Sequence, residues 1–245
     1  VNSPWGFGGV VVPKPHSTPE NPEHRMCIDL RPLNEKLPRD NFEPPSCDLC
    51  LEWLAGKRYR TTLDCRWGFY QVGLTDRAKA VLTLNTSIGT YCFERLVMGH
   101  LNATAEFQRH INYTLGDSLW NEALAMVDDV IVGNGVLTEH VTSLRRVLDK
   151  LAKRHHSIKP EKMHILCELL EYLGHISTPS GTLISDKHKL DITEMPYPVD
   201  ASGTVNRTSV RSFIGMIKYC RRYIEKCAKV CGCLLYTTDA ADDGF

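Results

Sequence analysis

Apolar and polar residues alternate with a period of two through several short stretches of the chain, and each such stretch predicts a strand. GGVVVPKP is β-branched and ends in Lys14, and RMCIDLRPLN sets Met26, Ile28 and Leu30 against Cys27, Asp29 and Arg31. Together they predict a hairpin with Lys14 and Arg25 near its ends. In KRYRTTLDC, Tyr59, Thr61 and Leu63 alternate toward the interior and the strand then meets Asp64. Arg77 to Thr86 and Thr90 to Leu96 predict another strand pair about a turn at Gly89, and Glu168 to Ile176 with Gly181 to Ile184 a further hairpin. The period lengthens elsewhere. Ser46 to Ala55 predicts a short helix, and Asn102 to Leu115 a longer one with Phe107, Ile111 and Leu115 on one stripe. Thr138 to His155 predicts a helix capped by Thr138 and buried through Val141, Leu144, Leu148 and Leu151. Val210 to Tyr223 predicts a second basic amphipathic helix.

Between these elements lies ALAMVDDVIVG, Ala123 to Gly133, in which Asp128 and Asp129 separate two apolar runs. The runs read as buried strands and the Asp pair as the turn of a tight hairpin. Two like charges there repel and lose hydration unless water or a cation compensates them. An exposed acidic turn is the ordinary alternative, since Asp is a common turn residue. Asp64, at the end of another strand, is placed like many catalytic acids, although capping the following turn is a commoner task. Strands and helices intermix at hairpin spacing, with neither a G-x-G-x-x-G nor a P-loop Lys. That order predicts an α+β fold on an antiparallel sheet and removes the usual nucleotide-binding folds.

Composition adds little to this picture. Lys plus Arg equals Asp plus Glu at 29 each, so no global basic signature points to nucleic acid. The charge is uneven, however. Seven Lys or Arg lie between Arg145 and Lys162 against two acids, and seven more between Arg207 and Lys229 against Glu225 alone. Such local excess can track a phosphate backbone, or simply solvate two helix faces. The ten cysteines read as reduced thiols, because neither Cys47 with Cys50 nor the group Cys227, Cys231 and Cys233 has a second pair at zinc-finger spacing. No apolar run reaches the roughly 18 to 20 residues of a membrane-spanning helix, so no membrane partner is expected. A start at Val1 without Met reads as a fragment of something longer.

In order, the chain shows SPWGFGGVVVPK, RMCIDLRPLN, TTLDCRWGFYQV, YCFERLVMGHLNATAEFQR, MVDDVIV, EHVTSLRRVLDKL, IKPEKMHIL, EYLGHIS and VRSFIGMIKYCRRYI. This succession resembles the reverse transcriptase domain of gypsy-type long-terminal-repeat retrotransposons, over about Ser3 to Ile224. The resemblance implies the right-hand polymerase fold of fingers, palm and thumb. The expected division is fingers at 1–52 and 75–110, palm at 53–74 and 111–200, the start of the thumb at 201–233, and a non-native read-through tail at 234–245. The implied activity is RNA-directed DNA polymerisation, transferring nucleotides from dNTPs to a primer 3′-hydroxyl on an RNA or DNA template.

Asp64, Asp128 and Asp129 match the family's catalytic triad, holding two divalent ions, normally Mg2+ with Mn2+ as the alternative. Two-metal transfer requires carboxylates brought together from separate strands. By the same resemblance Lys14 and Arg25 hold the triphosphate, Phe69 excludes a 2′-hydroxyl, and Met98 and Gly99 line the nucleotide site. Gly174 and His175 match the hairpin that holds the primer end. Ribonuclease H and integrase segments of the same polyprotein, and a cytoplasmic virus-like particle, belong to the same implication. The chain also departs from the family pattern. Met126 replaces the usual Tyr, VMGHL replaces Pro-Phe-Gly-Leu, Thr104 replaces a Pro, Glu106 is gained near the active face, and Trp67 stands where a small residue is common. A diverged domain that binds template-primer without turnover is therefore the competing reading.

Overall fold

The Asp-bearing segments form one antiparallel sheet, and the elements around it follow from how that sheet is covered. The computed structural model describes residues 3–13, 17–18, 20–196, 206–229 and 231. Contacts divide the chain into two units, Val1–Glu168 and Leu169–Phe245. Lys14, Cys233, the 197–205 stretch and the tail 234–245 lie outside the described residues.

The first unit opens with β1 (Gly9–Pro13) and β2 (His24–Ile28), paired antiparallel with Val12 opposite Arg25. A single helical turn, α1 (Arg31–Asn34), precedes α2 (Cys47–Leu54), which Ser46 caps by accepting a 3.2 Å hydrogen bond from Leu49 N. Next come β3 (Tyr59–Asp64), α3 (Asp76–Val81), β4 (Thr83–Thr86), β5 (Gly89–Cys92) and α4 (Ala103–Leu115). The unit closes with β6 (Ala123–Met126), β7 (Asp129–Asn134), α5 (Leu137–Lys153) and β8 (His164–Cys167). The main sheet runs β6-β7-β3-β8 with every neighbour antiparallel.

Its central strand differs from the alternating pattern read in the sequence. Arg60, Thr61, Thr62 and Leu63 are all buried, because both faces of β3 are covered. On one face Leu63, Val130, Val132, Ala123 and Ala125 pack with Phe107, Ile111 and Leu115 of α4 and with Val147 and Leu151 of α5. The α4 stripe expected from the sequence is thus the heart of the core. A second apolar cluster gathers Phe7, Ile28, Leu30, Leu33, Leu82, Leu84 and Val97 away from the sheet.

Three further expectations are corrected, one of them in part. The segment from Arg77 is not a strand at its start: Thr75 accepts from Ala78 N at 3.3 Å and Asp76 occupies the first turn, so α3 forms before β4 begins. The buried face of α5 differs from the apolar count only in part: Leu151 is buried and Leu144 and Leu148 pack partly buried against the core, as expected. Val141 is 44% exposed, whereas His140, Ser143, Val147 and Leu151 are buried. The polar pair is held inward by two hydrogen bonds, although His140 Nδ1 is buried without a hydrogen-bond partner. His140 Nε2 shares a 2.8 Å hydrogen bond with the Thr61 hydroxyl, and Ser143 Oγ accepts from Asn134 Nδ2 at 3.2 Å. Thr138 makes no cap; the N-cap is Val136.

In the second unit, β9 (Leu170–Tyr172), β10 (His175–Thr178) and β11 (Gly181–Ile184) form a sheet of order β11-β10-β9. The expected single strand from Glu168 to Ile176 is itself a hairpin. It turns at Leu173 and Gly174, both with positive φ, 48 and 70. A Cβ at Gly174 would collide with His188 and the Tyr219 hydroxyl, so only glycine fits the turn. Two helices follow: α6 (Asp186–Thr193), capped by Ser185, and α7 (Arg207–Tyr219), capped by Asn206. The basic helix therefore ends four residues before Tyr223, with Arg221–Tyr223 in a separate 3-10 turn. Among the described residues, no helix is long and apolar enough to cross a membrane.

Candidate active site

Sheet register brings the acids together. Asp64, last in β3, lies directly opposite Asp129, first in β7. Met126 of β6 also faces Asp129, which leaves Val127 and Asp128 as the turn. The Asp pair is therefore split between a turn residue and a strand residue, a finer division than the sequence showed. Val127 carries the strain of this tight turn with a φ of 56.

Three contacts fix the turn. Cys65 N donates to Asp128 O at 2.8 Å, tying it to the end of β3. Gln108, fully buried in α4, donates from Nε2 to Ala125 O at 2.9 Å and accepts from Val127 N through Oε1 at 2.6 Å. Behind them Gly68 is pressed so close that an added Cβ would lie 3.2 Å from both Asp128 Cβ and Phe107 Cζ. Gln108 and Gly68 were not singled out in the sequence. A polar residue one position after Phe107 on an amphipathic helix carries no signal of its own.

The acids differ in their surroundings. Burial, and then the charges of Asp128 and Asp64, push the Asp129 carboxyl up to about 6 against the pull of Lys162 and Lys159. Burial and the same three carboxylates push the Cys65 thiol up to about 12, so it is inert as a nucleophile. Lys159 Nζ lies 2.8 Å from Asp64 Oδ1, and Lys162 Nζ donates to Oδ2 at 3.3 Å. The sequence counted both lysines only as part of a basic run. Oδ1 is buried and accepts no hydrogen bond, so its contact with Lys159 is one of charge alone.

Gln71 anchors the segment that brings Lys159. Its Oε1 accepts from Ser157 N at 3.0 Å and pairs with His156 Nδ1 at 2.9 Å, and its Nε2 donates to Ser157 O at 2.8 Å and to Arg66 O. Lys159 N in turn donates to Asp64 O at 2.9 Å.

A cleft of about 720 Å³ opens beside Asp128 and is lined in part by Arg25, Phe69, Met98, Trp67 and Lys159. Four residues named from the sequence thus meet in one cavity. Phe69 packs edge-on against Phe107 at 5.8 Å between ring centres, which fixes its tilt. Gly99 is next to Met98 but exposed, with its carbonyl accepting from Asn34 Nδ2 at 2.8 Å. Glu106 is not among the residues lining the cleft; it pairs with Arg109 at 2.9 Å, and Arg109 pairs with Asp40 at 2.7 Å. Gly174 and His175 belong to the second unit. His175 is 1% exposed, stacked on Tyr219 at 4.8 Å, with Nδ1 sharing a 2.9 Å hydrogen bond with the Tyr223 hydroxyl.

The donor set suits a hard divalent ion. Carboxylate oxygens are the ligands Mg2+ and Mn2+ prefer, and Asp64 would exchange its lysine contacts for such an ion. Among the described residues no three His, Cys, Asp or Glu are grouped as an ion site, and Asp64 is ion-paired with Lys159 and Lys162.

An antiparallel sheet that gathers three acids at adjoining strand ends, with Asp128 on a cleft walled by Arg25 and Phe69, is the arrangement of a polymerase fold. Residues 12–177 match the family of the reverse transcriptase (RNA-dependent DNA polymerase), and the chain belongs to that family. It is 32% identical over 229 residues to the retrovirus-related Pol polyprotein from transposon opus of Drosophila melanogaster, covering 94% of this chain and 22% of that one. To the corresponding polyprotein from transposon gypsy of the same fly it is 32% identical over 210 residues, covering 86% and 20%. The chain therefore spans about a fifth of the length of these curated relatives.

Among solved structures it resembles the foamy viral protease-reverse transcriptase in complex with double-stranded DNA, with a TM-score of 0.83 and 20% identity over 98% of this chain and 40% of that one. The same viral protein with an RNA/DNA hybrid gives 0.73 and 21% over 90% and 28%. At that identity the likeness concerns the fold.

Proposed function

We propose that the chain is an RNA-directed DNA polymerase domain that adds dNTPs to the 3′-hydroxyl of a primer paired with an RNA or DNA template. The observation that carries this reading is the convergence of Asp64, Asp128 and Asp129 at adjoining strand ends beside the cleft that holds Arg25, Phe69 and Met98. Asp64 and Asp128 would hold two Mg2+ ions, with Asp129 completing the triad. Bound there, such ions activate the attacking hydroxyl and neutralise the departing pyrophosphate.

The remaining work falls to the chain's own groups. Arg25 offers a planar fork to phosphate oxygens, and Lys14 is assigned the same task. Phe69, held edge-on by Phe107, fills the space a ribose 2′-hydroxyl would need. Met98 and Gly99 complete the nucleotide wall. Gly174 and His175 belong to the hairpin assigned to the primer end. Fingers at 1–52 and 75–110, palm at 53–74 and 111–200, and the start of the thumb at 201–233 make up the proposed division. The foamy viral relatives carry duplexes, which supports a template-primer partner. As part of a Pol polyprotein, the chain would work alongside ribonuclease H and integrase segments in a cytoplasmic virus-like particle.

Extension of a DNA primer on an RNA template with dNTPs and Mg2+ tests the reading. Extension that disappears in Asp64→Asn supports it. Tight, salt-sensitive binding of the primed template with no extension in either Mg2+ or Mn2+ would select the non-catalytic reading, to which the VMGHL and Thr104 departures point.

A further inference from the structure

The tasks above involve residues on both sides of Trp67 and leave Trp67 itself without one. Its indole is 63% exposed, an unusual state for so large an apolar group, and it lines the same cleft as Arg25, Phe69 and Asp128. Its backbone is left-handed at φ 51, a conformation that any residue carrying a Cβ adopts at a cost. The following residue gives little room for relief, since Gly68 is wedged between Asp128 and Phe107. The guanidinium of Arg66 rests 4.8 Å from the ring centre, so a cation already rides on the indole. Strain and exposure alone do not mark a site. Trp120 has a φ of 67 and is 44% exposed, yet it is not among the residues of this cleft. Place in the cleft is what separates the two.

We propose that Trp67, with Arg66 on its ring, is an aromatic wall that holds the incoming nucleoside triphosphate and so sets nucleotide affinity. The inference rests on the polymerase reading and adds to it a residue that the family resemblance does not assign. An indole packs against any base or sugar without reading hydrogen bonds, so its contribution is the same for all four nucleotides.

Steady-state extension on a primed template tests this. In Trp67→Ala the KM for each dNTP is expected to rise about tenfold, the scale of one lost aromatic contact, while kcat stays within about threefold. Trp67→Phe is expected to recover most of the affinity, and Trp120→Ala to leave KM unchanged. An unaltered KM in Trp67→Ala, or a rise confined to one nucleotide, overturns the proposal. If the wild-type chain extends nothing, the polymerase reading fails separately, and quenching of tryptophan fluorescence by dATP then decides this one. Quenching in the wild type that is lost in Trp67→Phe supports it; no quenching, or quenching that persists in Trp67→Phe, overturns it.

Discussion

Half-buried Asp129 and buried His156 are titratable groups whose effects on stability run in opposite directions. Asp129 is raised to about 6, so the folded state binds its proton more tightly than the unfolded chain does. Its contribution to stability is therefore full below the ordinary carboxylate range and falls as pH rises from about 4 to 6. His156 is lowered to about 4, by burial first and then by His110, so its contribution rises with pH between about 4 and 6.5. Removing the Asp129 charge should expose the histidine limb. In urea denaturation Asp129→Asn is expected to be more stable than the wild type by about 1 to 3 kcal/mol at pH 7.5, the gain vanishing below about pH 4. Equal stabilities at both pH values would contradict this environment for Asp129.

Gln108 works at the same scale. Gln108→Leu keeps the volume but strips partners from the Val127 amide and the Ala125 carbonyl, and is expected to cost about 2 to 4 kcal/mol. It should also lower kcat, since the Asp128 turn loses its anchor. A stability loss with kcat unchanged would show that the clamp does not position the turn.

At the scale of elements, α4 joins the core to the site, because Phe107 packs on the sheet with one side and steadies Phe69 with its edge. Phe107→Ala is expected to cost about 3 to 5 kcal/mol in denaturant unfolding. The milder Phe107→Leu should keep the fold and raise ribonucleotide incorporation relative to deoxynucleotide; unchanged sugar discrimination would separate Phe69's tilt from its role.

The α4 stripe was legible in the sequence because Phe107, Ile111 and Leu115 repeat every four residues and are all buried. The β6–β7 hairpin was legible because short apolar runs flank its charges, and the place of Asp64 because an alternating strand ends on it. The inward polar part of the α5 face, His140 and Ser143, was not, because a hydrophobic count passes over it. Nor was α3, whose start is set by the Thr75 cap rather than by an apolar stripe. Lys159, Lys162, Gln71 and Gln108 were missed because their roles depend on partners distant in sequence, such as Lys162 on Asp64.

Over the whole molecule, the balance of 29 basic and 29 acidic residues hides how the charges are used. Part of the basic face of α5 is committed internally: Arg146 pairs with Glu122 at 2.7 Å, and Lys150 with Asp117. Affinity for a primed template is nevertheless expected to fall steeply between about 50 and 200 mM salt, as counterions released from phosphates are restored. Binding that ignores salt would argue against backbone recognition.

The central claim, that the acids at the β3 end and the β6–β7 turn form a polymerase centre, is tested most directly by single-turnover primer extension on an RNA template with Asp128→Asn. Asp128 is exposed at the turn, so the substitution spares the core. The expected result is primed-template affinity close to that of the wild type with extension reduced at least about a thousandfold, the scale of losing a preorganised catalytic charge. Extension at the wild-type rate in Asp128→Asn would contradict the account.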